Sequence, residues 1–294
     1  MDSQKLWVVA EEAWTALSGR FEPVAEQMCA QFGIEGRVFG LLLAALTLEP
    51  EDTTPGHLIV RGPYTSADEY LKRLKGATLM GFLSEIAPGK FRLSEEGREI
   101  TRRIASELRF VMANVDPLMP EDSGRLAVLL DRVVQASINT PPPPNTWSIK
   151  LSYKLMPSVN PPMPFIEQAF SCLSAYRDDA HLAAWQSSGL SAIALEALTL
   201  FWRGEATSLD ELCHKLIRRG HSSDTYRSAL QVLRDRGFVT GPDQAPWVTG
   251  AGRVFRNVIE ADTDKLFYLP WVCLSESEMS EMFGLLTRMR DGLK

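Results

Sequence analysis

The sequence predicts a mainly α-helical chain with small β-hairpins, organised as two tandem copies of one unit. Three observations predict it. Apolar residues recur at helical spacing, two stretches match at a constant offset, and a proline-rich segment separates them.

The offset is 156 residues. Residues 66–82 read SADEYLKRLKGATLMGF and residues 222–238 read SSDTYRSALQVLRDRGF. Ser66 aligns with Ser222, Asp68 with Asp224, Tyr70 with Tyr226, Leu74 with Leu230, Gly81 with Gly237 and Phe82 with Phe238. After a one-residue slip, Leu93-Ser94 meets Val248-Thr249, Gly97-Arg98 meets Gly252-Arg253 and Ile104 meets Ile259. The original offset then returns, pairing Leu126 with Met282, Leu129-Leu130 with Leu285-Leu286 and Arg132 with Arg288. Upstream, LAALTLE at 43–49 parallels LEALTLF at 195–201. The expected organisation is a first unit at 1–140, a connector at 141–164 and a second unit at 165–294.

At 294 residues, each unit is large enough to bury a core. The apolar fraction of 45% and charged fraction of 23% exclude a disordered chain. No run of about 18 apolar residues predicts a membrane span. The opening MDSQKLWVVAEEAW carries acids where a secretion signal needs a basic flank, so a cytoplasmic protein is expected. Cys29, Cys172, Cys213 and Cys273 are scattered, which points to buried thiols rather than disulfides.

In the first unit, EPEDTTPGHLIVRGPY predicts a Pro- and Gly-broken stretch just before the 66–82 helix. The connector holds Pro141 to Pro144, Pro157, Pro161, Pro162 and Pro164, which exclude a helix or an inner strand. Trp147, Ile149, Tyr153 and Leu155 alternate within it and predict a strand packed on one unit. In the second unit, residues 190–202 predict a buried helix ending near Gly204. Ser208 caps a short helix through Ile217, with Asp210 and Glu211 in its first turn and Gly220 ending it. Ser222 or Ser223 caps a third helix whose Tyr226, Leu230 and Leu233 share one face. Phe238-Val239, a TGPDQAP tip and WVT predict a hairpin; a long helix follows from about Gly252, and another from Ser275.

Two short helices joined by a Gly turn and followed by a hairpin form a winged helix-turn-helix. Two such tandem domains with long flanking helices resemble the MarR family. The SxDxY-to-GF stretch, the short wing and the LT/LS-xx-G-R helix entry carry the resemblance. The second half is also similar to a group of uncharacterised MarR-like proteins through RDDAHLAAW at 177–185 and IEADTDKLFYLPW at 259–271. The resemblance implies that the terminal helices are of the dimerisation type, so that one chain acts as a pseudo-dimer; a homodimer stays open.

The net charge of −6 argues against a protein that coats nucleic acid everywhere. Locally the sign reverses: residues 215–256 carry a net +5 and residues 61–103 a net +3. Phosphate contacts need such concentrations of Lys and Arg. Candidate DNA contacts are Ser222, Ser223, Thr225, Arg227, Arg234 and Arg253 in the second unit, and Lys72 and Arg73 in the first. Ser222 or Ser223 as a plain cap and Arg227 as a solvated charge are the structural alternatives. Asp68 and Glu69 stand where phosphates would be met, so the first unit is the weaker reader.

The resemblance further implies a small apolar or aromatic effector held between the flanking helices and a winged lobe. Trp14, His181, Trp185, Tyr268 and Trp271 are the candidate lining, with ordinary core packing as the alternative. His181 shares a helix face with Asp178 and Arg177, a possible ligand handle or an ion-pair network. Cys213, His214 and His221 lack zinc spacing, and no phosphate loop or nucleophile motif occurs. No metal, cofactor or catalysis is expected. The expected function is a ligand-responsive DNA-binding regulator whose two lobes fit major-groove sites about 34 Å apart. The alternative is a winged-helix protein that has lost DNA binding and acts as a small-molecule or protein-binding module.

Overall fold

The computed structural model describes residues 3–140, 143 and 147–294. Its first half runs α1 (Ser3–Gln31), α2 (Gly36–Leu48), α3 (Pro55–Arg61), α4 (Ala67–Leu79), β1 (Leu83–Ala87), β2 (Lys90–Leu93), α5 (Glu95–Ala113) and α6 (Pro120–Asn139). After α7 (Trp147–Tyr153), the same order recurs as α8 (Pro162–Gln186), α9 (Ala192–Arg203), α10 (Leu209–Lys215), α11 (Ser223–Asp235), β3 (Val239–Thr240), β4 (Trp247–Val248), α12 (Gly250–Tyr268) and α13 (Glu276–Leu293). The chain is mainly helical, with two small antiparallel hairpins, β1–β2 and β3–β4. No single described helix is long and apolar enough to cross a membrane.

Local chemistry explains most boundaries. The hydroxyls of Ser66, Ser191, Ser208, Ser222 and Ser275 each accept from a backbone N–H three residues on. Gly204, Gly220 and Gly237 have φ of +70°, +74° and +69°, the left-handed turn that stops a helix. Ser222, not Ser223, is the cap of α11, and Thr249 caps α12, which starts at Gly250, two residues before Gly252.

Three expectations are corrected. The stretch before α4 is not broken. Thr54 caps it, Pro55 occupies the first helical position where its missing N–H costs nothing, and α3 has the same 7 residues as α10. Trp147–Tyr153 is a helix rather than a strand, because the buried Asp179 carboxylate of α8 receives the N–H groups of Ser148 (2.9 Å) and Ile149 (3.0 Å). Pro162 and Pro164, expected to exclude a helix, lie inside the first turn of α8, which tolerates proline. Pro141, Pro142 and Pro144 lie outside the described residues.

Three cores result. One belongs to each lobe: α2, α4, β1–β2 and α5 bury Leu42, Leu74, Phe91 and Ile104, while α9–α11 and β3–β4 bury Leu198, Leu212, Tyr226 and Leu230. The largest lies between them, where α1, α6, α8 and α13 of both halves bury Leu6, Leu17, Leu130, Phe170, Leu286 and Met289. Across it Arg132 pairs with Glu278 and Arg288 with Asp122, and Arg125 pairs with Glu281. Adding 156 to 122, 125 and 132 gives 278, 281 and 288. The first two ion pairs therefore exchange under the repeat offset, and the third joins a position to its own equivalent. Self-complementary contacts of this kind define a two-fold interface.

Candidate nucleic-acid interface

The α10–α11 pair and the β3–β4 hairpin form a helix-turn-helix followed by a wing. Ser222 and Ser223 are exposed at the start of α11; Thr225 donates its N–H to Ser222 Oγ (3.1 Å), and the two hydroxyls share a hydrogen bond of 2.9 Å. Arg227 pairs with Asp224 at 2.5 Å and Asp243 at 3.3 Å; Arg234 holds Asp243 at 2.7 Å and the Gly241 carbonyl at 3.0 Å. The Arg234 guanidinium holds the Asp243 carboxyl below the usual range. Asp243 O also accepts the Leu209 N–H at 2.8 Å. Arg227 and Arg234 thus tie the tip of the β3–β4 hairpin to α11, a positioning job that spacing alone did not reveal.

Arg253, Arg218 and Lys215 are exposed and carry no ion pair among the described residues. Two other cations of the basic stretch turn inward. Arg256, 2% exposed, meets Glu260, and Arg219 pairs with Glu196 at 2.7 Å. Lys72 is 81% exposed and 3.8 Å from Glu69, while Arg73 bonds Glu69 (2.9 Å) and the Arg218 carbonyl (2.5 Å).

That last contact belongs to a junction between the lobes. Ser66 donates its N–H to Arg219 O (2.8 Å) and its hydroxyl to Gly220 O (3.2 Å), and His221 Nε2 lies 3.0 Å from Tyr64 O. Ser222 follows Gly220 by two residues, at most ~7 Å of chain, so α4 and α11 begin within about 10 Å of each other. Helices reading successive major grooves present their first turns about 34 Å apart. In this arrangement the two-groove fit expected from sequence is not met.

The candidate effector residues do not converge. Trp271 and Tyr268 pack with Trp7 and Phe267 in the central core, Trp14 lies 6.4 Å from Phe170, and Trp185 lies 6.3 Å from Tyr64. Only His181 among them lines a described cavity, one of about 540 Å³ shared with Tyr64, Glu196, Arg203, Arg219 and Arg256. A more apolar cavity of about 390 Å³ sits between α2, α5 and α8, walled by Phe39, Leu43, Leu108 and Met112, with Arg61, Arg109, Glu167 and Gln168 among its polar groups. Burial pushes the Glu167 carboxyl up. The sequence signal was Gly40 and Ala44, one turn apart on an apolar helix, which leave space where larger side chains would fill it.

Burial, then the Arg256 guanidinium with Arg177 and Arg203, holds the His181 imidazole down to about 4 against a partial counter-effect of Glu260; its Nδ1 lies 3.2 Å from Thr263 Oγ1. An unfolded histidine titrates near ~6.5 and binds its proton first, so this group adds stability that is full above that value and is lost as pH falls towards 4. Urea midpoints should show that His181→Gln loses less stability between pH 7 and 5 than the parent, by about 1–2 kcal/mol. Equal losses in both proteins would refute the buried, neutral imidazole.

A family model described as a helix-turn-helix family matches residues 156–293. The second half of the chain therefore carries a helix-turn-helix domain, and the match covers α8 to α13. No curated protein and no solved structure matches.

Proposed function

We propose that the chain is a DNA-binding transcriptional regulator of MarR-like type, a pseudo-dimer made by tandem duplication of a winged-helix unit. It works in the cytoplasm without catalysis and responds to a small apolar or aromatic ligand. The observation that carries DNA binding is the exposure of three cations that form no ion pair among the described residues, in the half that matches the helix-turn-helix family. They are Lys215 at the end of α10, Arg218 between α10 and α11, and Arg253 in the first turn of α12. The duplication is supported by the recurring element order and by the exchange of the Arg132–Glu278 and Arg288–Asp122 pairs under the repeat offset. Ligand response is supported by the cavity of about 390 Å³, a size that suits a small molecule.

Fluorescence anisotropy with a labelled random-sequence duplex at 50–200 mM salt tests the reading. Binding should weaken steeply with salt, and Arg253→Ala and Arg218→Ala should each lower the slope of log K against log salt by about 1. Absence of binding at the lowest salt would end it. The second reading, a module that has lost DNA binding, is favoured by Asp243 occupying Arg227 and Arg234 and by the adjacent starts of α4 and α11.

A further inference from the structure

We propose that the turns 63–66 and 218–221 form a releasable lock that holds the two reading helices in a closed arrangement. The inference rests on the DNA-binding reading and adds a conformational control to it. The lock is polar and lies at the rim of both lobes. Ser66, Arg73 and His221 donate to, or lie in hydrogen-bonding contact with, the carbonyls of Arg219, Gly220, Arg218 and Tyr64. Arg219 adds a contact of 3.4 Å to Thr65 Oγ1 and stacks its guanidinium 5.6 Å from the Tyr64 ring centre. Beside these polar contacts stand two aromatic ones, Tyr64 with Trp185 at 6.3 Å and His221 with Tyr226 at 5.8 Å. Tyr64, Thr65, Ser66, Arg73, Arg219 and His221 themselves lie outside the apolar clusters, so each lobe keeps its own core when the turns part. Segments held by exposed hydrogen bonds and few buried apolar contacts open before the cores do.

Gly220 marks the junction as built for closeness. A Cβ there would lie 2.5 Å from Glu69 Cβ and 2.8 Å from Ser66 Oγ, whereas Gly204 and Gly237, in the same left-handed conformation, have nothing within 4 Å. Of these three glycines, Gly220 is the one where a side chain would wedge one lobe from the other. The contact also uses what a reading helix needs. The first turn of α4 carries Ser66 and Glu69, and Arg73 lies one turn on; while they hold the opposite turn, α4 cannot enter a groove. Closed, the chain reads with α11 alone. Open, Arg73 is released from the Arg218 carbonyl, the already exposed Lys72 follows α4 towards phosphate, and the two first turns separate towards groove spacing.

The full chain, Gly220→Ala and Tyr64→Ala are compared by hydrogen–deuterium exchange and by binding to a random-sequence 40-base-pair duplex. Peptides covering 62–70 and 216–223 should exchange at least about tenfold faster in both variants, while α2, α8 and α9 keep their protection. The salt slope of duplex binding should steepen by about 2 as Lys72 and Arg73 engage phosphates. Unchanged exchange in the two turns, deprotection that spreads into α2 and α9, or an unchanged slope would each overturn the lock. Faster exchange confined to the turns, with no duplex binding by any of the three proteins, would instead sink the regulator reading while showing that the turns part.

Discussion

Replacing Gly252 with alanine should cost the full chain about 3 kcal/mol or more, and Gly97→Ala should do the same in the other half. These glycines lie in the first turn of α12 and α5, where each helix crosses the strand residue that precedes its hairpin. An added Cβ would lie 2.2 Å from the Phe238 carbonyl oxygen at one site and 2.0 Å from the Phe82 carbonyl oxygen at the other. Those oxygens are backbone atoms held by strand and cap hydrogen bonds, Thr249 N to Phe238 O and Ser94 N to Phe82 O, both 3.0 Å. No rotamer change relieves the overlap, so helix and hairpin must separate. Gly124, inside α6 with nothing within 4 Å of its Cβ position, is the control: there alanine should stabilise by up to about 1 kcal/mol. Urea unfolding of the three variants decides it, and a Gly252→Ala midpoint as high as that of Gly124→Ala would refute the close approach.

Arg256→Ala should destabilise by about 3–5 kcal/mol, whereas Arg253→Ala, three residues earlier on α12, should stay within about 0.5 kcal/mol of the parent. Arg256 is 2% exposed; its Nε donates to Thr199 Oγ1 at 2.9 Å, and its guanidinium meets Glu260 and stands 5.2 Å from the Trp202 ring centre. Truncation removes that packing and leaves Glu260 to Arg177 alone at 3.4 Å. Arg253 is exposed, and its loss should be felt in duplex binding instead. Unfolding midpoints and anisotropy titrations on the same two variants separate the roles. Arg256→Ala with an unchanged midpoint and weakened DNA binding would reverse this assignment.

The two arginines also mark how far the sequence could be read. Counting charge over 215–256 found a basic region, but counting cannot tell an arginine facing solvent from one closing a buried polar cluster. Arg219 and Arg256 are of the second kind, and Arg227 and Arg234 spend their charge on Asp243. Helix ends were legible wherever the signal was local. Ser208, Ser222 and Ser275 cap, and Gly204, Gly220 and Gly237 stop, because the hydroxyl geometry and the positive φ are properties of a few adjacent residues. α3 and α7 were misread because proline weighs heavily in a local reading. In α3 the proline falls at the first helical position, where its missing N–H costs nothing, and in α7 the decisive cap is Asp179, 31 residues from Ser148 and 30 from Ile149.

By itself, then, the sequence determined the helical class, the repeat offset and most caps, all of which depend on neighbours in the chain or on copies of the same pattern. Only the tertiary structure decided what the two halves do to each other. Packing of α1 and α6 against α8 and α13 brings together residues about 150 positions apart, and with them the exchanged ion pairs and the lock at Gly220. It also carries Trp7 and Trp271 into the central core and leaves the apolar cavity beside α2 instead. Those outcomes depend on which surfaces meet in space, and hydrophobic periodicity records only that each helix has a face to bury.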